Sequence, residues 1–254
     1  MLRFADVSLN RDGREVLDQI SAGAEVGCLT ALLGPNGAGK STLLALAAGE
    51  LRPDRGAVHI DGIAPHTVRP ELLARHRAIL PQQAAFDFDF SVAEVALLGL
   101  SPFPELREAE IRALLDSVLG LVDAAQLAER RYPALSGGER QRAQLARVLV
   151  QAMAAVVHGP CLLLLDEPVA NLDPRHQHLL LAALVKLCAA LPLAVVITLH
   201  DVNLALRYAQ QCWLLRQGRL LAAGPPDEVL VPPLLSALYN LPVRRGAADM
   251  IVFG

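Results

Sequence analysis

Eight consecutive residues, Gly34-Pro35-Asn36-Gly37-Ala38-Gly39-Lys40-Ser41, fit the pattern G-x-x-x-x-G-K-[ST]. They follow a continuous apolar run, Cys28 to Leu33, which reads as a central parallel strand. They open the stretch Lys40 to Ala48, where Leu43, Leu44 and Ala47 keep helical spacing and Gly49 closes the turn. Glycines in such a turn let successive backbone N–H groups converge on phosphate oxygens, and the helix start adds a partial positive charge. Lys40 is placed to reach the β- and γ-phosphates as a point charge, and Ser41 to ligate Mg²⁺. The pattern arises by chance in roughly one chain of this size in a hundred. The strand before it and the helix after it thin that number further, so the chain commits to a nucleotide-binding α/β core.

The rest of the composition narrows the partners. The chain's 254 residues suffice for one large α/β domain or two small ones. Lys plus Arg total 23 against 26 Asp plus Glu, a net charge of −3, which argues against a basic nucleic-acid surface. Cys28, Cys161, Cys188 and Cys212 are scattered and form no CxxC pair, so a disulfide framework or zinc ribbon is not expected and a reducing compartment is. The apolar share of 53% raises the question of a membrane span, with Leu179 to Leu199 as the candidate. Lys186 and Pro192 interrupt that run, which therefore reads as a buried helix to Ala190 and a buried strand from Leu193. Met1 to Asn10 alternates like a strand rather than like a basic-then-apolar leader.

Along the chain, residues 2–33 read as short strands with turns at Arg11-Asp12-Gly13 and Ala22-Gly23, and Ala57 to Ile60 as a strand of a hairpin. After Ala85 the texture becomes helical. Phe86, Phe88 and Phe90 precede helical segments over 92–100, 105–119 and 124–129, with Pro102 and Pro104 as breakers. Runs at Leu162 to Leu165, Leu193 to Leu199 and Gln211 to Leu215 then alternate with helices, as in an open α/β sheet. The expected architecture is a single domain over 1–254. Residues 1–84 and 152–254 form an α/β core with a small antiparallel β part, and 85–151 an inserted helical subdomain.

Two further segments carry chemistry. Leu162 to Leu165 runs into Asp166-Glu167, two carboxylates at the C-terminal edge of a parallel sheet, where such folds bind ligands. Asp166 fits the Mg²⁺-side acid, and Glu167 is placed to polarise a water attacking the γ-phosphate. Ser136-Gly137-Gly138 opens a second helix. Ser136 can be a plain N-cap, but paired glycines at a helix start also make a second anion cradle, which suggests another copy of the chain facing the first.

These landmarks together make the chain resemble an ATP-binding subunit of an ABC transporter along essentially its whole length. The resemblance rests on the ordered set Gly34 to Thr42, Gln82 in Leu80-Pro81-Gln82, Leu135 to Gln141, Asp166-Glu167, Asn171-Leu172-Asp173 and His200 in Thr198-Leu199-His200-Asp201. It implies a RecA-like P-loop ATPase binding ATP and Mg²⁺, with Glu167, His200 and Gln82 as catalytic residues and Ser41, Gln82 and Asp166 around the metal. It implies that Ser136, Gly137, Gly138 and Asp173 serve the nucleotide of a second copy bound head to tail. Partners follow in the same way: membrane permease subunits, a periplasmic binding protein, and no nucleic acid, with the chain peripheral on the cytoplasmic face of the membrane. Phe88 to Val92, Arg131-Tyr132, Leu172 to His178, Asp201 to Ala205 and the long stretch Gln151 to Pro160 are similar to haem-importer ATPases, with siderophore and cobalamin importers as close alternatives. His176 and His178 read as helix-surface residues rather than haem ligands. One departure is Arg11, where relatives carry an aromatic residue against adenine; a guanidinium can stack on a purine in its place. A soluble ABC-type ATPase acting on DNA or ribosomes lacks room here for its coiled-coil insertion or second ATPase domain. A P-loop small-molecule kinase would leave Ser136-Gly137-Gly138 unexplained.

Overall fold

The run Leu29–Leu33 is apolar on both faces save for Thr30 and forms β3, flanked on each side by a parallel strand. In a computed structural model describing residues 1–82, 89–246 and 250–254, β3 lies inside a six-stranded sheet. The antiparallel pair β1 (Leu2–Arg11) and β2 (Arg14–Ala24) precedes it. Helix α1 (Lys40–Ala48), β4 (Arg55–Ile60), a short α2 (Pro70–Leu73) and β5 (Arg77–Leu80) follow. Three helices come next, α3 (Val92–Leu97), α4 (Glu108–Leu121) and α5 (Gly137–Ala155). The chain then runs through β6 (Cys161–Leu165), α6 (Pro174–Ala190), β7 (Leu193–Thr198), α7 (Val202–Tyr208), β8 (Gln211–Arg216) and β9 (Arg219–Gly224). It ends with α8 (Pro226–Val229), α9 (Pro232–Tyr239) and the paired strands β10 (Val243–Arg245) and β11 (Ile251–Phe253).

The large sheet has the order β5-β6-β7-β3-β8-β9, parallel except at β9, and a separate three-stranded sheet has the order β2-β1-β4. Alternation along the central strands sorts the core into two layers. Leu29, Ala31 and Leu33, with Leu163, Leu165, Val195 and Ile197, face a core shared with α3 to α7. Leu32, Leu162, Leu164, Ala194 and Val196 face the other, shared with α1 and the antiparallel sheet. Such two-sided burial explains why these strands read as unbroken apolar runs. No helix among the described residues is long and apolar enough to cross a membrane. The run from Leu179 to Leu199 divides at Pro192 into α6 and β7.

Several local expectations change. Arg11-Asp12-Gly13 does turn, with Asp12 and Gly13 at φ 52° and 75°. Ala22-Gly23 does not: both pair with β1, and the chain turns after Ala24 instead. The strand containing Ala57 to Ile60 pairs antiparallel with β1 rather than in a hairpin, because β1 offers it a full second edge. The segment 124–129 holds a single 3₁₀ turn, Ala125–Leu127, and α5 runs past Gln151 to Ala155. Phe86 and Phe88, and the chain around the expected boundary at residues 84 and 85, lie outside the described residues.

Candidate functional site

The parallel strands deliver their C-terminal ends to one edge of the sheet. β3 runs into the glycine turn and α1, β5 into Gln82, β6 into Asp166-Glu167, and β7 into His200. The turn's glycines are required by crowding. A Cβ at Gly34 would sit 2.1 Å from the Leu215 carbonyl oxygen. Gly39 adopts φ 104°, and its Cβ would meet the Leu17 side chain at 2.9 Å. A bond from the Gly218 N–H to the Ala38 carbonyl at 3.0 Å, from the β8–β9 turn, braces the loop from below.

Lys40 is buried, and its ammonium donates to the carbonyls of Gly34 at 2.8 Å and Pro35 at 3.1 Å. Burial lowers its pKa below the usual 10.5, opposed by the nearby charges of Glu167 and Asp166. Two adjoining spaces of about 280 and 400 Å³ share Ser41, Thr42 and Gln82. The larger is lined also by Asn36, Gly37, Gly39, Lys40, Glu167 and Val16. The other is lined also by Arg11 and Asp166. These volumes suit a small-molecule ligand.

The acids are held by β7. The Thr198 hydroxyl, fully buried, donates to Asp166 Oδ1 at 2.7 Å and accepts from the Glu167 N–H at 2.6 Å. Glu167 takes a left-handed backbone, φ 50°, and its Oε1 lies 2.8 Å from His200 Nε2. An ionised carboxylate only accepts, so Nε2 carries the proton in this contact.

The remaining expected residues lie apart. Ser136 is the N-cap of α5 in a capping box: its Oγ accepts from the Glu139 N–H at 3.4 Å, and Glu139 Oε2 accepts from the Ser136 N–H at 2.8 Å. Among the described residues Ser136, Gly137 and Gly138 line neither of the two spaces, and Ser136 and Gly137 are exposed. Gly138 approaches the Asn171 carbonyl so closely that a Cβ would lie 2.9 Å from it. Asp173 caps α6 within its own chain, accepting from the His176 N–H at 3.0 Å and lying 2.7 Å from His176 Nδ1. That backbone bond is the main reason the Asp173 carboxyl is held below its ordinary pKa. His176 is thus more than a surface residue: its Nε2 also meets Asp123 at 3.2 Å and Arg142 at 2.8 Å. His178 pairs with the Tyr208 hydroxyl at 2.7 Å, tying α6 to α7.

Sequence reasoning passed over Val16 and Thr198. For Val16 no local signal exists, since only the folded chain brings β2 to the glycine turn. Thr198 did carry one, as the hydroxyl at the end of the otherwise apolar run Leu193-Ala194-Val195-Val196-Ile197.

A family profile described as "ABC transporter" matches residues 17–170. Over 241 residues the chain is 44% identical to the hemin import ATP-binding protein HmuV of Bordetella parapertussis, covering 94% of this chain and 92% of that one. A protein of the same name from Gloeobacter violaceus is 45% identical over 242 residues, covering 95% and 88%. Among solved structures, an ATP-binding subunit of an ABC transporter superposes with a TM-score of 0.81 at 26% identity, covering 94% of this chain and 98% of the other. Another, described as of the metal-chelate type in an inward-facing conformation, superposes with a TM-score of 0.78 at 26% identity, covering 99% and 95%.

Proposed function

The chain belongs to the ABC transporter family, and from that premise we propose that it hydrolyses ATP to drive uptake of haem through separate membrane permease subunits. The carrying observation is the convergence of Gly34 to Thr42, Gln82, Asp166, Glu167 and His200 on one sheet edge, in a chain alike over nearly its whole length to hemin import ATP-binding proteins. In this reading Lys40 exchanges its two backbone carbonyls for phosphate oxygens. Glu167 polarises the attacking water while His200 fixes the carboxylate's orientation.

Ser41, Gln82 and Asp166 line one space, and their hydroxyl, amide and carboxylate oxygens are the hard ligands that Mg²⁺ takes beside substrate phosphates. Those three would hold Mg²⁺, which when bound neutralises developing phosphate charge. Val16 at the mouth of the glycine turn, and Arg11 exposed at the end of β1, are the candidates to flank the purine.

Because Ser136-Gly137-Gly138 is presented away from the chain's own glycine turn, we assign it to the nucleotide of a second copy packed head to tail, with Asp173 at the same interface. We place the inserted helical subdomain at residues 85–151. Delivery by a periplasmic binding protein and a peripheral position on the cytoplasmic face complete the proposal.

The test is reconstitution of the chain with its cognate permease in lipid vesicles. ATP-dependent accumulation of haem, undiminished by excess ferric siderophore or cobalamin, is the expected result. Uptake of cobalamin or siderophore with none of haem would overturn the substrate assignment.

A further inference from the structure

The proposed chemistry uses Asp166 and Glu167, but neither carboxylate is positioned by its own strand alone. β6 ends at Leu165, and Glu167 has already left the sheet in a left-handed conformation at φ 50°. A non-glycine residue holds such a backbone only where its surroundings over-determine it. Here the determining contact comes from the neighbouring strand β7. The Glu167 N–H donates to Thr198 Oγ1 at 2.6 Å, and the same hydroxyl donates to Asp166 Oδ1 at 2.7 Å.

One side chain therefore fixes the backbone of one acid and the carboxylate of the other. Thr198 suits the task physically. It is β-branched, so its χ1 is stiff. Its side chain is fully buried, so neither bond competes with water. The strand that carries it also leads directly to His200, which grips Glu167 from the other side at 2.8 Å.

We propose that Thr198 is a positioning residue for hydrolysis, its hydroxyl clamping Asp166 and the Glu167 backbone into a single unit with His200. This inference rests on the reading of Asp166 and Glu167 as the acids of the reaction. It concerns the hydroxyl, not the packing, because valine has nearly the same shape.

The experiment compares Thr198→Val and Thr198→Ser in the full chain with two controls, Glu167→Gln and Thr30→Val. Thr30 is an equally buried threonine on β3 whose hydroxyl has no hydrogen-bond partner among the described residues, so its replacement reports the effect of a buried threonine-to-valine change alone. Thr198→Val should lower kcat about tenfold to a hundredfold, the effect of a small misplacement of reacting groups. Its KM for ATP, and its affinity for ATP measured by fluorescence titration in EDTA, should stay within about twofold, since Lys40 and the glycine turn are untouched. Thr198→Ser should recover most of the loss, and Thr30→Val should turn over at the parental rate.

The proposal falls if Thr198→Val keeps the parental kcat while Glu167→Gln is inactive, or if the serine and valine variants lose equally, which would leave packing as the cause. If Glu167→Gln itself keeps the parental rate, the reading of the acids falls instead. Should Thr198→Val fail to fold, Thr198→Cys, of similar size and with a weaker donor, should show an intermediate kcat; a parental kcat there also overturns the proposal.

Discussion

At the scale of single residues, the site's lysine, its two acids and its histidine already have partners within the chain. Lys40 is buried yet satisfied by two carbonyls, so its ammonium is not an orphaned charge. Glu167 is held by the Thr198 hydroxyl at its backbone and by His200 at its carboxylate, in a conformation that costs about 1–3 kcal/mol elsewhere. If Glu167 polarises the attacking water, Glu167→Gln keeps the shape and loses the base. Its hydrolysis rate should fall about 10²–10⁴-fold, while equilibrium binding of ATP stays near parental because Lys40 and the glycine turn are unchanged. Single-turnover hydrolysis alongside fluorescence binding separates the two, and a parental hydrolysis rate would exclude Glu167 as the base. The glycine turn, the paired acids and His200 were readable in the sequence because each is a short chemical pattern at a strand end. Val16 was not, because what matters about it is a contact with residues far away in the chain, and Thr198 showed only as a lone hydroxyl closing an apolar run, with its two partners supplied by the fold.

Elements show a similar division. The central strands and α1 were legible because burial on both faces, or helical spacing closed by glycine, leaves a plain mark. The strand β5 was not, being four residues long, at the edge of the sheet and opened by an arginine. Its free edge is covered from α5 instead: Gln151 Nε2 donates to the carbonyls of Ala74 at 2.8 Å and Arg77 at 3.1 Å, and Arg147 Nη2 to that of Ile79 at 3.4 Å. That anchorage makes the start of α5 a matter of geometry, and the capping box of Ser136 and Glu139 secures it. Bonds from the Ser136 backbone N–H, the largest cause, and from its hydroxyl region hold the Glu139 carboxyl below its ordinary value of 4.5, with Arg130 adding to the effect. A carboxyl whose folded-state pKa is depressed contributes its full stabilisation above the unfolded value and loses it as pH falls through the folded one. The melting temperature of the parent should therefore exceed that of Glu139→Gln at pH 7, and the gap should close as pH drops below 4.5. A gap that is constant with pH would mean the charge on Glu139 plays no part in the cap.

At the scale of the whole molecule, the fold keeps its two glycine-bearing helix starts apart. The glycine turn sits at the sheet edge between β3 and α1, whereas Ser136 and Gly137 stand exposed at the start of α5, between the glycine turn and the acids in chain order. Asp173 and His176 then tie the loop after the acids to Asp123 and Arg142 of the helical part, so that the exposed turn and this loop form one supported surface. A composite site built from the glycine turn of one copy and Ser136 of another makes a sharp prediction for mixed dimers, best made as tandem fusions. Place Ser136→Arg on one chain and Lys40→Ala on the other: one composite site then stays intact and the second takes both lesions. Place both substitutions on the same chain and each composite site takes one lesion. The first arrangement should keep up to about half of the parental turnover and the second almost none, although the two contain the same pair of substitutions. Ser136→Arg also removes an N-cap, a loss of about 0.5–2 kcal/mol, but that penalty is identical in both arrangements and cancels in the comparison. Under a two-fold axis the pairing is isologous, with the glycine turn of each copy meeting Ser136 of the other, which is why the lesions segregate by site and not by chain. Equal turnover of the two fusions would mean that Ser136 serves its own chain's nucleotide, or none, and the composite site would have to be abandoned.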